Sequence, residues 1–217
     1  MSESIDLNKV LEILLDFKGT KIKDYCIENL SKGKDPYHIF KHLATGLDEI
    51  GRGYENKEFR KYFTSDLIIS GRNMKKAVQI LKPHFNKTTK AKGIVILGTV
   101  KGDVHDIGKT ILGIMLESNG FKVIDLGVDV NKELFVQRIT EEKPDVLGMS
   151  ALLTSTLSYM EDVIHQLKKE KLRERIKIII GGKPVTEEFA NRIGADAYGE
   201  DCIDGVKKCL TLSKKNN

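Results

Sequence analysis

Asp103, His105 and Gly108 are the residues of this chain whose types and spacing most suggest chemistry. They read Asp-x-His-x-x-Gly directly after the apolar run 93–99. Two positions apart on one loop, a carboxylate and an imidazole can face one cavity and bend toward each other. A carboxylate that accepts one ring N–H fixes the tautomer and raises the basicity of the other ring nitrogen, as it does behind metal-ligating histidines. One His and one Asp do not make a zinc site, because no further His or Cys lies at ligand spacing. A metal already held by a macrocycle needs only one axial ligand, which this pair can supply. The overlapping Gly108-Lys109-Thr110 has the ending of a phosphate-binding loop. That motif needs glycine at position 103, where Asp103 would repel phosphate. His38 and His42 lie four apart on one helix face, without a third ligand to make a metal site.

The elements around this loop fall into two patterns. Residues 5–17, with Ile5, Leu7, Val10, Leu11, Leu14 and Phe17, show helical spacing, and Gly19 is expected to end that helix. A second helix is expected over about 21–30. Asp35-Pro36 reads as an N-cap and first turn of a third, ending near Gly51 and Gly53. A fourth begins near Thr64 or Ser65, both good N-caps, and runs to Pro83. Four short helices imply an antiparallel bundle, the domain 1–84. Residues 85–92 read as a linker. Beyond it, apolar runs at 94–97, 122–126, 146–149 and 176–180 alternate with helical segments near 107–118, 131–142, 155–171 and 186–193. A short fifth strand, 195–198, precedes a last helix over 201–212. Alternating strands and helices predict an α/β domain, 93–217, with a flavodoxin-like (Rossmann-like) five-stranded parallel sheet in the order 2-1-3-4-5. Ligands bind such sheets at the carboxyl ends of the strands. The loop from Thr99 to Gly108, the hydroxyl-rich segment 150–156 and Gly181-Gly182 would all meet there.

Composition narrows the class. The net charge of +5 comes from scattered lysines, so no nucleic-acid partner is expected. Cys26, Cys202 and Cys209 have no metal-like spacing and cannot all pair, which suits reduced thiols. With a polar start and no apolar run long enough to span a bilayer, a cytoplasmic protein with no membrane partner is expected.

On these motifs, residues 93–212 resemble the cobalamin-binding domain, whose pattern Asp-x-His-x-x-Gly, Ser-x-Leu and Gly-Gly is matched by Asp103/His105/Gly108, Ser150/Leu152 and Gly181/Gly182. Residues 5–84 resemble the helical cap of corrinoid methyl-transfer proteins. There Gly51-Arg52-Gly53-Tyr54-Glu55, then Tyr62-Phe63 and Leu67, is similar to the segment facing the upper corrin side. The chain is thus similar to the cap and cobalamin-binding domains of cobalamin-dependent methionine synthase. It departs at Thr64-Ser65-Asp66, where relatives often have Leu-Pro-Glu, and at Thr156, where they usually have Ser.

The resemblance implies His105 as the axial ligand to cobalt, Asp103 as its orienting partner and Thr156 as the hydroxyl behind Asp103. It also implies cofactor contacts from Asp106, Ile107, Gly108 and Leu152, with Phe63 and Leu67 from the cap. Ser150 and Thr154 would offer hydroxyls to the buried base, and Gly181 and Gly182 would let the nucleotide tail pass close to backbone. The implied cofactor is cobalamin or a related corrinoid, cycling between cob(I)alamin and methylcob(III)alamin. The chain would be a corrinoid methyl carrier, non-catalytic on its own. A substrate:corrinoid methyltransferase would deliver the methyl group. A corrinoid:tetrahydrofolate or corrinoid:coenzyme M methyltransferase would remove it, and a reductive activase would restore the Co(I) state. The alternative is the small cobalamin-binding subunit of an adenosylcobalamin-dependent mutase, against which the helical cap argues. A cobalamin-dependent gene regulator would need a basic recognition helix, and residues 1–84 contain none.

Overall fold

A computed structural model of the chain describes residues 6–55, 59, 61–85 and 92–213. They fall into two compact units, Met1–Phe85 and Asn86–Asn217. Most of the expected linker lies outside the described residues.

The first unit is four helices. In α1 (Leu7–Leu14) the Asp6 carboxylate caps the Lys9 amide at 3.2 Å, and Val10, Leu11, Ile13 and Leu14 face the core. The helix is shorter than its apolar spacing suggests, and Ile5 lies outside the described residues. The Asp16 carboxylate gathers the amides of Lys18, Thr20 and Lys21 at 2.7 to 3.3 Å, turning the chain into α2 (Lys21–Ser31). Phe17 is therefore left exposed rather than buried. Asp35 starts α3 (Pro36–Glu55), accepting the amides of Tyr37 and His38. That helix runs through Gly51 and Gly53 instead of ending there. A Cβ on Gly53 would lie 2.6 Å from the Tyr62 ring, so glycine serves close packing within the helix. In α4 (Thr64–Leu81) the cap is Phe63, not Thr64 or Ser65. The Phe63 amide donates to the Asp66 carboxylate at 2.8 Å.

The second unit is a parallel sheet of five strands: β1 (Gly93–Thr99), β2 (Phe121–Asp125), β3 (Val146–Ser150), β4 (Lys177–Gly181) and β5 (Ala197–Gly199). Their order is β2-β1-β3-β4-β5, as expected. The register sets Thr99 beside Ser150 and Ser150 beside Gly181, so three strands end level. The connecting helices are α5 (Ile107–Ser118), α6 (Lys132–Glu142), α7 (Leu157–Lys169), α8 (Glu187–Ile193) and α9 (Cys202–Ser213). The stretch expected as one helix over 155–171 is a 3₁₀ turn, Thr154–Thr156, followed by α7. The fifth strand starts two residues late, because the Ala195 amide is used to close α8 on Ala190 O.

Period-2 alternation divides the strands between two faces. Ile96, Leu147, Met149, Ile178 and Ile180 pack with Phe135, Met160, Ile164 and Phe189 under α6, α7 and α8. On the other face, Val95, Leu97, Val146 and Ile179 pack with Leu116 of α5 and with Val206 and Cys209 of α9, flanked by the partly buried Leu112, Met115, Leu210 and Leu212. Toward the strand ends, alternation puts Gly148, Ser150, Gly181 and Gly199 on this face. Gly199 lies against Gly205 of α9, since a Cβ on Gly199 would sit 3.4 Å from the Gly205 Cα. Small residues therefore replace side-chain bulk where α5 and α9 begin. Among the described residues no helix is long and apolar enough to cross a membrane, and the three cysteines are unpaired.

Candidate functional site

β1 ends at Thr99, and the loop to α5 is built on the Asp103 carboxylate, which is wholly buried. Its Oδ1 accepts the His105 amide at 3.0 Å and His105 Nδ1 at 2.7 Å. Its Oδ2 accepts the amides of Leu152 at 2.7 Å and Leu153 at 3.0 Å, and lies 3.1 Å from the Thr156 hydroxyl. Burial alone would raise the carboxyl pKa. The amides of His105, Leu152 and Leu153 and the His105 ring outweigh it and hold the pKa at about 2. The ring proton therefore sits on Nδ1, leaving a lone pair on Nε2. No described residue bonds to Nε2, and the His105 side chain is 47% exposed.

This ionised cradle gives a pH prediction. The folded pKa lies below the ordinary 3.8, so the stabilisation is complete above about pH 4 and is lost as pH falls toward 2. The shift corresponds to about 2 kcal/mol. Asp103→Asn removes the charge, so its stability deficit against the native chain should be largest above pH 4 and shrink toward pH 2. Chemical denaturation at several pH values checks this, and a deficit that widens on acidification would contradict it.

The other expected site residues are placed as follows. Thr156 is buried behind Asp103, and its hydroxyl also lies 2.8 Å from Leu153 O. Asp106 precedes α5 as its N-cap residue, and Ile107 and Gly108 form the first turn of that helix. The glycine with a left-handed backbone in this loop is Gly102, at φ +81, whereas nothing lies within 4 Å of where a Gly108 Cβ would stand. Leu152 is exposed beside Leu153, and Val104 and Val128 add apolar exposure on the loops after β1 and β2. Thr154 is exposed at the start of its 3₁₀ turn. Gly182 owes its glycine to the protein itself: at φ +129 a Cβ would lie 1.8 Å from Ala151 O. Phe63 and Leu67 belong to the helical unit, where Phe63 is exposed rather than a core aromatic.

Three contributors were not singled out from sequence. Thr99, fully buried, donates its hydroxyl to His105 O at 2.9 Å and lies 2.8 Å from Ser150 Oγ. Asp129, at φ +55, accepts the Gly102 amide at 2.7 Å and donates its own amide to Asp103 O at 2.9 Å. Lys109, buried in the first turn of α5, pairs with Asp125 at the end of β2. Only the hydroxyl of Thr99 at a strand end offered any sequence signal. The other two pairings depend on strand register. Among the described residues no cluster of three or more His, Cys, Asp or Glu can hold a metal ion alone. The site is a single presented imidazole.

Models of the B12 binding domain match residues 6–82 and 93–207. The chain is 40% identical over 210 residues to dimethylamine corrinoid protein 2 of Methanosarcina acetivorans, covering 94% of this chain and 96% of that one. It is 36% identical to the trimethylamine corrinoid protein of Methanosarcina barkeri, covering 92% and 93%. The solved monomethylamine corrinoid protein of Methanosarcina barkeri superposes with a TM-score of 0.85 at 30% identity, over 95% of each chain.

Proposed function

This chain belongs to the methyltransferase corrinoid proteins, and we propose that within that family it carries methyl groups between two partner enzymes, with His105 as lower ligand to cobalt. Its cofactor is cobalamin or a related corrinoid. The observation that carries the ligand assignment is the His105 ring. A buried, ionised carboxylate pins one nitrogen, and the other nitrogen is presented at a half-exposed edge.

The surrounding residues suit a corrinoid. Val104, Leu152 and Leu153 put exposed apolar surface on the loops next to His105, as a flat macrocycle requires. The open space at Gly108 allows close approach to the start of α5. Ser150 and Gly181 leave little side-chain bulk at the ends of β3 and β4, where a nucleotide tail would enter. Deeper in, Gly199 packs against Gly205 and Leu112 fills the space at Gly205, so α9 and Leu112 would have to give way. When bound, the corrinoid supplies a cobalt centre that takes up and gives up a methyl group. Asp103 keeps the proton on Nδ1 and orients the ring. Thr156 and the Leu152 and Leu153 amides hold Asp103. From the helical unit, Phe63 and Leu67 are assigned to the opposite corrin face on the strength of the family resemblance.

The names of the relatives point to a methylamine as donor, delivered by a methylamine:corrinoid methyltransferase. Tetrahydrofolate or coenzyme M is the proposed acceptor, reached through a second methyltransferase, and a reductive activase would recover oxidised protein. The test is to reconstitute the chain with hydroxocobalamin, reduce it, and follow its spectrum with each methylamine and its partner enzyme. Stoichiometric methyl uptake with one of them is expected. Uptake with none would overturn the donor assignment, and no uptake even from methyl iodide would overturn the carrier reading.

A further inference from the structure

We propose that Asp129 is a positioning residue for the cobalt site, bracing from the loop after β2 the loop that presents His105. The inference rests on the reading of His105 as cobalt ligand.

Asp129 has a left-handed backbone, at φ +55. Among the described residues, the other non-glycine residues with positive φ are Lys143 and Lys171. Their amides close the ends of α6 and α7, on Ile139 O and Lys168 O, a common use of this conformation. Asp129 ends no helix. For a residue with a Cβ the conformation is unfavourable and persists where surrounding bonds require it. Here it turns two groups of one residue toward one neighbouring loop. The Asp129 carboxylate accepts the Gly102 amide at 2.7 Å, and the Asp129 amide donates to Asp103 O at 2.9 Å. On the far side, a Cβ on Gly102 would stand 3.4 Å from Thr156 Cγ2. The backbone leading into Asp103 is thus enclosed between Asp129 and the residue behind the carboxylate.

The same loop anchors the other end of the histidine segment. Asp125 pairs with the buried Lys109 in the first turn of α5 and accepts the Gly127 amide at 2.9 Å, while Gly127 O accepts the Thr99 amide at 3.0 Å. His105 lies between these two anchors. Asp103 must aim one oxygen at His105 and the other at the Leu152 and Leu153 amides, so a small backbone rotation breaks bonds on one side. Fixing Gly102 and Asp103 orders the imidazole before the cofactor arrives, which lowers the cost of binding.

The test compares Asp129→Gly, which keeps the left-handed backbone without the carboxylate, with Asp129→Asn, which keeps an acceptor oxygen as well. In the cofactor-free full chain, amide hydrogen exchange is followed by nuclear magnetic resonance at His105 and Leu152, both donors to Asp103. Asp129→Gly should speed exchange there by roughly fivefold or more, the effect of losing one hydrogen bond to a charged group. The Ile178 amide, held by Asp196 at the opposite end of the sheet, should be unaffected. Asp129→Asn should restore most of the protection. The second readout is electron paramagnetic resonance of the chain with ¹⁵N-labelled histidine, loaded with cob(II)alamin. The ratio of ¹⁵N-coordinated to uncoordinated cobalt should fall by a similar factor in Asp129→Gly and not in Asp129→Asn. Exchange that is unchanged, that rises equally at Ile178, or that rises equally in Asp129→Asn would overturn the proposal. So would a lower cobalt ratio without faster exchange, which would make Asp129 a direct contact of the cofactor, or faster exchange with an unchanged ratio. A missing ¹⁵N doublet in the native chain would instead overturn the ligand assignment, on which exchange in the free chain does not depend.

Discussion

His105→Ala is expected to eliminate the protein-nitrogen signal from the Co(II) spectrum of the loaded chain while leaving the cofactor bound, though more weakly. The native chain labelled with ¹⁵N-histidine should show a doublet superhyperfine pattern. The variant should show either no nitrogen splitting or the triplet of the cofactor's own unlabelled base. Labelling separates the two nitrogen sources, which unlabelled spectra cannot do for cobalamin. The residual binding follows from the apolar surface of Val104, Leu152 and Leu153 and the small residues Ser150 and Gly181 at the strand ends, neither of which uses the imidazole. Asp103→Asn keeps the ring but alters its orienting partner. It should weaken coordination by roughly tenfold to a hundredfold, as loss of a hydrogen-bonded partner behind a metal ligand commonly does. An unchanged doublet in His105→Ala would remove His105 from the cobalt altogether.

Gly182→Ala is expected to damage both stability and site. The added Cβ would stand 1.8 Å from Ala151 O and 2.9 Å from its carbonyl carbon, in a backbone region at φ +129 that side chains rarely adopt. The obstacle is backbone, so no rotamer change relieves it. A cost of about 4 kcal/mol or more is expected, a size reached only by substitutions with a specific steric or electrostatic cause. The damage spreads because Ala151 is followed by Leu152 and Leu153, whose amides hold Asp103. Moving Ala151 draws those donors away from the carboxylate that orients His105. Gly205→Ala is the matched comparison. There the obstacle is Leu112 Cδ1 at 3.1 Å, the end of a side chain that can shift, and a loss of under about 1 kcal/mol is expected. Urea denaturation of the full chain compares the two, with the sheet unit followed separately, since two compact units need not unfold together. A Gly182→Ala chain within about 1 kcal/mol of the native one would contradict the close approach of the two loops.

Local chemistry made much of this protein legible from its sequence. Helix and strand periods differ, so the four-helix unit and the five strands alternating with helices could be read from apolar spacing. Their order was expected only because five such strands suit the flavodoxin-like arrangement. Asp103 and His105 are two residues apart, and their hydrogen bond needs nothing more distant than the loop between them. Ends of elements were less legible where a side chain captured backbone amides ahead of the pattern. Asp16 cut α1 short and left Phe17 in solvent, and Asp66, by accepting the Phe63 amide, made Phe63 rather than Thr64 or Ser65 the cap of an α4 that starts at Thr64 as expected.

Other features were settled only when β1 and β3 came into register. The Leu152 and Leu153 amides lie about fifty residues along the chain from the carboxylate they hold, across two helices and two strands. Thr99 meets Ser150 because the two strands end level, and no spacing in the sequence records that. Gly182 looked like room for a ligand, and tertiary structure shows it to be room for Ala151. The identity of the imidazole and its partner lies in adjacent residues. The partner's charge, burial and remaining donors arise from segments that meet only in the folded sheet, because hydrogen bonds are fixed by distance in space rather than along the chain.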